Sequence, residues 1–532
     1  MTNDSTHSRR WLWLSTALLV LPALALWLVH SWLGWEGERL WQQAQAQLKA
    51  EGETLDFMAL VPKPVPDEDN FFAVEPLKDI ALVIDGDETK GEPGARRARI
   101  EALNFAQGNN DVDQPEGSGV DHGVKWDAKG WADYYRKSER LPMPVATEPP
   151  GRDLLAALAQ GNPLYAELHS ALGRTKSVIT PIYSRRVLPK RMVFMPLTSL
   201  ESCQILSRLL LLRASAGVAC GENDQAQRDV RVMFRFAEGM GQEATLINAL
   251  VALAFARMAL DPCWLLVESG NSSAEVLKEL DRDLARLDLT QVMMLSLQGE
   301  TAFIVNTTDL FVEDSSQLAL LNIGGGKPSS FRGKSQLVRD QALWHLNPQG
   351  AGQGNNATSV QVLLDYHILP LRNSGLKGLV REGERLQNEL TAEKICQGVF
   401  GLLLKESLLA FRGVGERALH TQARLNQARL ACALERYFLQ HQRYPDTLNE
   451  LVPAFIDKVL LDPCDDKPMR FARTPAGRYK LWSLGFDGED DGGKVIASPQ
   501  DAPSHPKLSA RDYPGDWVWS YERLVPEANA EE

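Results

Sequence analysis

The chain has 532 residues, which at roughly 100 to 200 residues per domain allows two to four domains and a sizeable buried core. Hydrophobic residues are 44% and charged residues 24%, with Gly and Pro near average usage, so collagenous, wholly disordered and polytopic membrane classes are set aside. A net charge of −12 argues against a basic nucleic-acid-binding face, and no nucleic-acid partner is expected.

The first element is apolar. Trp11 to Trp35 is a run of 25 residues without Asp, Glu, Lys or Arg, long enough as a helix to cross a bilayer of roughly 30 Å. Arg9 and Arg10 precede it and Glu36 and Glu38 follow, which orients the N-terminus to the cytoplasm and places roughly 490 residues outside. The expected location is the inner (cytoplasmic) membrane, single-pass, with a periplasmic or otherwise extracytoplasmic bulk. A cleaved signal peptide ending near Ala23-Leu24-Ala25 is the competing reading, opposed by the continued apolar stretch to Trp35 with Trp27, Trp32 and Trp35 suited to an interfacial belt.

Residues 1–36 are thus read as a cytoplasmic stub and transmembrane anchor, and 37–196 as a stalk and irregular N-terminal region. Glu38 to Lys49 forms a Gln/Ala-rich helical stalk ended by Val61-Pro62-Lys63-Pro64-Val65-Pro66, because Pro lacks an N–H donor and constrains its neighbour. From 85 to 130 the chain is rich in Gly, Asp, Asn and Glu, which predicts a flexible surface loop without core.

Residues 197–415 are expected to be a helical domain. Leu206, Leu209, Leu210 and Leu212, then Leu246, Ala249, Leu250 and Leu253, recur at helical spacing, and Ala214, Ala216, Ala252, Ala256 and Ala259 permit close helix approach. A polar, Gly-rich break is expected at 324–359. Asn306-Thr307-Thr308 and Asn356-Ala357-Thr358 match glycosylation acceptors, a pattern that arises often by chance.

The last region, 416–532, reads as a small α+β module. Leu430, Leu434, Tyr437, Phe438 and His441 mark an amphipathic helix from Glu416 to Tyr444, and Leu448 to Phe455 a second short helix. Met469 to Arg473 and Arg478 to Leu484 read as a hairpin about Pro475-Ala476-Gly477, and Trp517, Trp519 and Tyr521 as one aromatic face of a third strand. The fold class is therefore mostly α: a transmembrane helix, an extracytoplasmic helical bundle, then a long helix packed on a short antiparallel sheet.

The order Ala433-Leu434-Glu435-Arg436-Tyr437, Arg443-Tyr444-Pro445, Asp462-Pro463, Lys467-Pro468, Ser483-Leu484-Gly485, Asp487-Gly488 and Asp516-Trp517 resembles the C-terminal domain of type II secretion major pseudopilins over about 110 of 532 residues. The whole chain resembles a family of uncharacterised membrane-anchored bacterial proteins, which implies no activity. The chain departs from pseudopilins at Arg10-Trp11-Leu12-Trp13-Leu14-Ser15, which has neither their Gly cleavage position nor their Glu. The pseudopilin resemblance implies calcium in the loop after the Ser-Leu-Gly strand, with Asp487, Asp490, Asp491 and Asp516 as metal ligands. Hard Ca2+ wants six to eight oxygens, and Gly485, Gly488, Gly492 and Gly493 let carboxylates converge. The alternative is a solvated acidic turn. An EF-hand is rejected because its twelfth position would be Ser498.

Common catalytic signatures are missing. Gly333-Lys334-Ser335 lacks the Gly five residues before Gly333 that a phosphate loop requires, and neither Gly-x-Ser-x-Gly nor His-Glu-x-x-His occurs. His169, His420 and His441 read as packing or surface residues. Six cysteines include no Cys-x-x-Cys; Cys432 and Cys464 either bridge within the C-terminal module or remain buried thiols. The functional expectation is a non-catalytic envelope protein that engages protein partners or serves secretion. The alternative is an envelope hydrolase with carboxylates such as Glu300 and Asp365 assembled in three dimensions.

Overall fold

A computed structural model of the chain describes residues 4–78, 92–104, 112–115, 119–121, 123–179, 198–314, 331–391, 398–404, 411, 413–494 and 515–521. It is mostly helical, with a small three-stranded antiparallel sheet near the C-terminal end.

Helix α1, Asp4–Glu51, carries the apolar run and the stalk in one piece, with Pro22 inside it. Large side chains on its outer half, including Leu24, Trp27 and Leu28 at 47%, 61% and 54% exposure, face away from the protein. From Leu33 onward one stripe turns inward, and Leu33, Ala44 and Leu48 are buried. After the short helix α2, Phe57–Leu60, the proline-rich connector leads to Asn70, whose side chain accepts from Val178 N at 2.9 Å and donates to Val178 O at 2.8 Å.

The loop expected over 85–130 contains helix α3, Glu92–Glu101, and its apolar residues are not idle. Ile100 and Val120 are buried in the main core, and Arg96 ties α3 to Glu75 at 3.2 Å. Few apolar residues suffice when each one is inserted between helices, so low hydrophobic content misjudged this segment. Within the expected loop, residues 85–91, 105–111, 116–118 and 122 lie outside the described residues. Helices α4 (Ala128–Ser138), α5 (Pro150–Leu158) and α6 (Asn162–Ser170) complete the N-terminal region, with Asp127 capping α4 through Gly130 N at 2.9 Å.

The helical body follows as α7 (Thr198–Ala219), α8 (Asn223–Gly241), α9 (Leu246–Glu268), α10 (Ala274–Leu284) and α11 (Leu289–Glu313). Thr245, Ser273 and Asp288 cap α9, α10 and α11 with side-chain oxygens, which fixes where each begins. Ala214, Ala216, Ala252, Ala256 and Ala259 are fully buried where these helices meet.

Of the polar break expected at 324–359, residues 324–330 lie outside the described residues and the rest is helical: α12, Phe331–Leu346, and α13, Pro348–Leu363, are separated by Asn347. Asn347 caps α13 through Gly350 N at 2.9 Å. The glycines of α13 serve close contact. A Cβ on Gly350 would overlap the Leu33 carbonyl, one on Gly37 the Gly350 carbonyl, and one on Gly354 the Phe400 ring. Buried Asn355 donates to Thr308 at 3.2 Å and accepts from Leu403 N at 3.1 Å. Asn356 is buried and the Asn306 amide donates to Ala302 O, so both acceptor-like triplets are helix interior.

A π-helical turn, Leu364–Ile368, leads into α14, Leu369–Thr391, which breaks at Gly375 (φ 63°). Helix α15, Val414–His441, ends in a left-handed Gln442. It packs on α9, α10, α11 and α14 as well as on the sheet, and one core runs from Ala44 to Trp519. The sequence division at 416 therefore marks no gap between packed units.

Beyond α15 a 3-10 turn, Leu448–Leu451, is closed by a Thr447/Glu450 capping box. Strands β1 (Arg470–Arg473), β2 (Tyr479–Ser483) and β3 (Trp517–Trp519) lie in the order β1-β2-β3, with Phe471 opposite Leu481 and Trp482 opposite Val518. Trp517, Val518 and Trp519 are all buried. The expected single aromatic face is covered on both sides because β3 is an edge clamped by helices: Gln427 donates to Trp517 O at 2.6 Å, Arg424 to Val518 O at 2.8 Å and Trp264 to Ser520 O at 3.1 Å.

Candidate functional site

The four predicted metal ligands fall around one loop after β2; Asp491 is half-buried there, and the other three already accept N–H bonds from the chain. Asp487 accepts from Glu489 N at 3.1 Å and Gly515 N at 2.7 Å. Asp490 accepts from Trp482 Nε1 at 2.9 Å and Gly492 N at 3.0 Å, and these bonds, with Arg470 nearby, hold its carboxyl below the usual range. Asp516 is buried; its Oδ2 accepts from Gly493 N at 2.7 Å, while Oδ1 has no hydrogen-bond partner. Burial and the neighbouring charges of Asp490 and Asp491 push the Asp516 carboxyl up to about 6.

Two cations of the chain itself already face this loop. Lys480 donates to Gly492 O at 2.5 Å, and Arg470 lies 2.6 Å from Asp462, 2.7 Å from Asp465 and 3.5 Å from Asp490. Among the described residues no group of three or more His, Cys, Asp or Glu side chains is gathered as metal ligands. The donors are hard oxygens of the kind Ca2+ takes, and Oδ1 of buried Asp516 is left unpartnered.

The carboxylates considered for hydrolysis have separate tasks. Glu300 accepts from Leu246 N at 3.3 Å, an extra cap on α9, and burial raises its carboxyl to about 7. Asp365 is exposed and accepts from Gln361 one turn earlier on its helix at 2.5 Å. The histidines are more involved than sequence reading allowed. His169 Nε2 lies 2.7 Å from buried Asp229, which Arg213 also contacts at 2.6 Å. His441 packs on Tyr437 at 4.2 Å between ring centroids.

Two polar constellations had no sequence signal, because their members come from distant segments. In the first, Asp121 lies 2.6 Å from Arg424, 3.7 Å from His420 and 3.9 Å from Arg257. Next to it Asp261 accepts from Val120 N at 3.1 Å; burial and the charge of Asp121 raise its carboxyl to about 7, while burial lowers His420 to about 3. This node joins residues 119–121 to α9 and α15 beneath Trp517, whose ring centroid is 4.7 Å from that of His420.

The second is a cleft of about 230 Å3 between α11, the π turn, α14 and the start of α15, with Met293, Leu297, His367, Leu386, Phe411 and Glu416 among its lining. His367 is buried in the π turn, 5.0 Å from Phe411, and its Nδ1 has no hydrogen-bond partner. Burial lowers its pKa to about 4, so the ring is neutral at pH 7. A π turn inserts one residue into the helical period, which is why a 3.6-residue reading gives no sign that His367 points inward.

The Cys432–Cys464 bridge is not formed. Cys464 instead lies 3.3 Å from Ser483 Oγ, with its N–H held by Asp462 at 3.0 Å, and Cys432 is a buried thiol of α15, as are Cys203 and Cys263 in their helices. Cys396 lies outside the described residues. No family model, no curated protein and no solved structure matches this chain.

Proposed function

We propose that the chain is a single-pass, membrane-anchored envelope protein whose folded body stands outside the cytoplasm and acts by holding protein partners. The observation that supports this is the division of α1: its outer half exposes Leu18, Leu21, Leu24, Trp27 and Leu28 to the surroundings, while its inner half is part of the core. Exposed contiguous apolar surface of this kind costs free energy in water and is stable in lipid. Arg9 and Arg10 before the run and Glu36 after it set the orientation. The reading requires no catalytic group.

The C-terminal α+β unit fits the same reading as a pilin-like module. Its loop aspartates Asp487, Asp490, Asp491 and Asp516 would hold calcium, an ion that supplies local charge neutralisation and ties the loop to β3. The unpartnered oxygen of buried Asp516 supports this.

Alkaline extraction of membranes from expressing cells tests the anchor: the full-length chain should stay in the membrane pellet and its body should be cut by protease added to spheroplasts. Recovery of a soluble chain beginning near Leu26 would replace the anchor with a signal peptide. Thermal unfolding of the detergent-solubilised chain tests calcium. At a hundred times its dissociation constant Ca2+ should stabilise by about 2.7 kcal/mol, Mg2+ should not substitute, and Asp516→Asn should remove the effect. No shift would leave the loop's charge balanced by cations of the chain itself, such as Lys480 and Arg470.

A further inference from the structure

The anchor leaves the body at a level that the packing defines. The His30 ring contacts the Leu346 carbonyl at 2.9 Å, and the Asn347 side chain donates to the His30 carbonyl at 2.8 Å. Trp32 packs on Phe400 with ring centroids 6.0 Å apart, and Leu33 joins Phe311, Trp344, Ala351, Val399 and Leu402 in a separate small core. The apolar run thus first meets the body at His30, Trp32 and Leu33. Ahead of them Trp11 to Val29 is 19 residues, or about 28 Å of helix against a hydrocarbon core of roughly 30 Å.

The direction of the body follows from a second register. α13 starts beside Leu33 to Gly37, and residues beyond its far end return to the far end of α1, where Arg372 pairs with Glu51 at 3.1 Å and with Glu53. The two helices run parallel and away from the apolar half of α1. The α12–α13 junction, the C-terminal end of α11 and residues 399–404 are thus the part of the body nearest the free apolar segment.

This end also carries apolar side chains that the body leaves exposed or covers only in part. On α12, Asp340 and Trp344 are buried against the protein, while Val338 and Ala342 are exposed and Leu346 is half-buried, at i, i+4 and i+8. Amphipathic helices with such a stripe lie in the plane of a lipid interface, and Trp and Phe rings favour the same depth.

Resting on the anchor reading, we propose that α12 together with Trp32 and Phe400 forms a lipid-contacting collar seated in the headgroup layer, so that the bilayer core takes only Trp11 to Val29 of the apolar run. The body then stands on the membrane as a fixed strut instead of swinging on a tether. The occupant of the collar is the phospholipid surface of the anchoring membrane.

Photo-crosslinking of the full-length chain in phosphatidylethanolamine/phosphatidylglycerol proteoliposomes tests this, with a benzophenone amino acid placed singly at Leu24, Ala342, Phe400 or the distant exposed Val145. Lipid adducts at 342 and 400 at least tenfold above those at 145 are expected, together with strong adducts at 24. Adducts at 24 with background levels at 342 and 400 would overturn the collar and leave the anchor standing. Background levels at 24 as well would overturn the anchor reading, and the collar with it. Ala342 is exposed, so its replacement leaves folding intact and keeps the outcome readable even if the Phe400 variant misfolds.

Discussion

Two helices of this protein are long and apolar, and the chain treats them oppositely. α9 has a window of mean hydropathy 1.7 and is 67% buried over it, with Trp264, Cys263 and Ala256 inaccessible to solvent. α1 exposes Leu18, Leu21, Leu24, Trp27 and Leu28, and from His30 onward it acquires neighbours, with Leu33 its first buried side chain among the described residues. Both contain a proline, Pro262 and Pro22, and neither proline ends its helix. Apolar length alone therefore does not separate a helix that is buried from one that stays exposed. The separation lies in whether other helices arrive: α7, α8, α11 and α15 surround α9, whereas the outer half of α1 lies beyond the reach of α13.

The comparison can be broken by placing charge in each helix. Leu24→Arg with Leu28→Arg should cost about 6 kcal/mol of insertion free energy and release the chain from alkaline-washed membranes, with the unfolding midpoint of the body unchanged. Ala256→Arg in α9 should do the reverse: the chain stays with the membrane while the body loses about 4 kcal/mol, read by thermal unfolding in detergent. A body that tolerates Arg at 256 would show that α9 is not a core helix.

The point where α1 changes character can be sharpened at its glycine contact. Gly350→Leu drives a side chain into the Leu33 backbone and should destabilise by about 3 kcal/mol, lowering the midpoint without affecting membrane retention. A smaller effect concerns buried His367. Its pKa is about 4 folded against 6.5 for an ordinary imidazole, so its contribution is present above pH 6.5 and is lost as pH falls toward 4. Between pH 6.5 and 5 that loss is about 2 kcal/mol, and His367→Leu should flatten the stability profile over this window by that amount. An unchanged slope would place His367 in contact with water.

Much of the C-terminal module was legible. The alternation around Trp517, the hairpin about Gly477 and the 3.6-residue stripe of α15 each state a local rule that the fold obeys. The same local rules misread 324–359 and 85–130, and for one reason. In α13 the glycines are not chain breakers but contact points, because the partner surface of α1 is close enough to exclude a Cβ. At Ile100 and Val120 a sparse apolar composition hides residues that the core uses singly. The acidic loop was legible as a group of aspartates. Its internal cations, Lys480 and Arg470, were not, since they come from the strands.

The sequence by itself determined the apolar span and its flanking charges, the periods of the long helices and the turns of the small sheet, because each depends on neighbours a few residues away. Only the tertiary structure decided where along α1 the body begins to pack, that α13 is a helix at all, that His367 is buried, and that Asp121 and Asp261 meet. Those outcomes depend on surfaces from distant parts of the chain meeting at van der Waals distance, and no local pattern encodes which surfaces will meet.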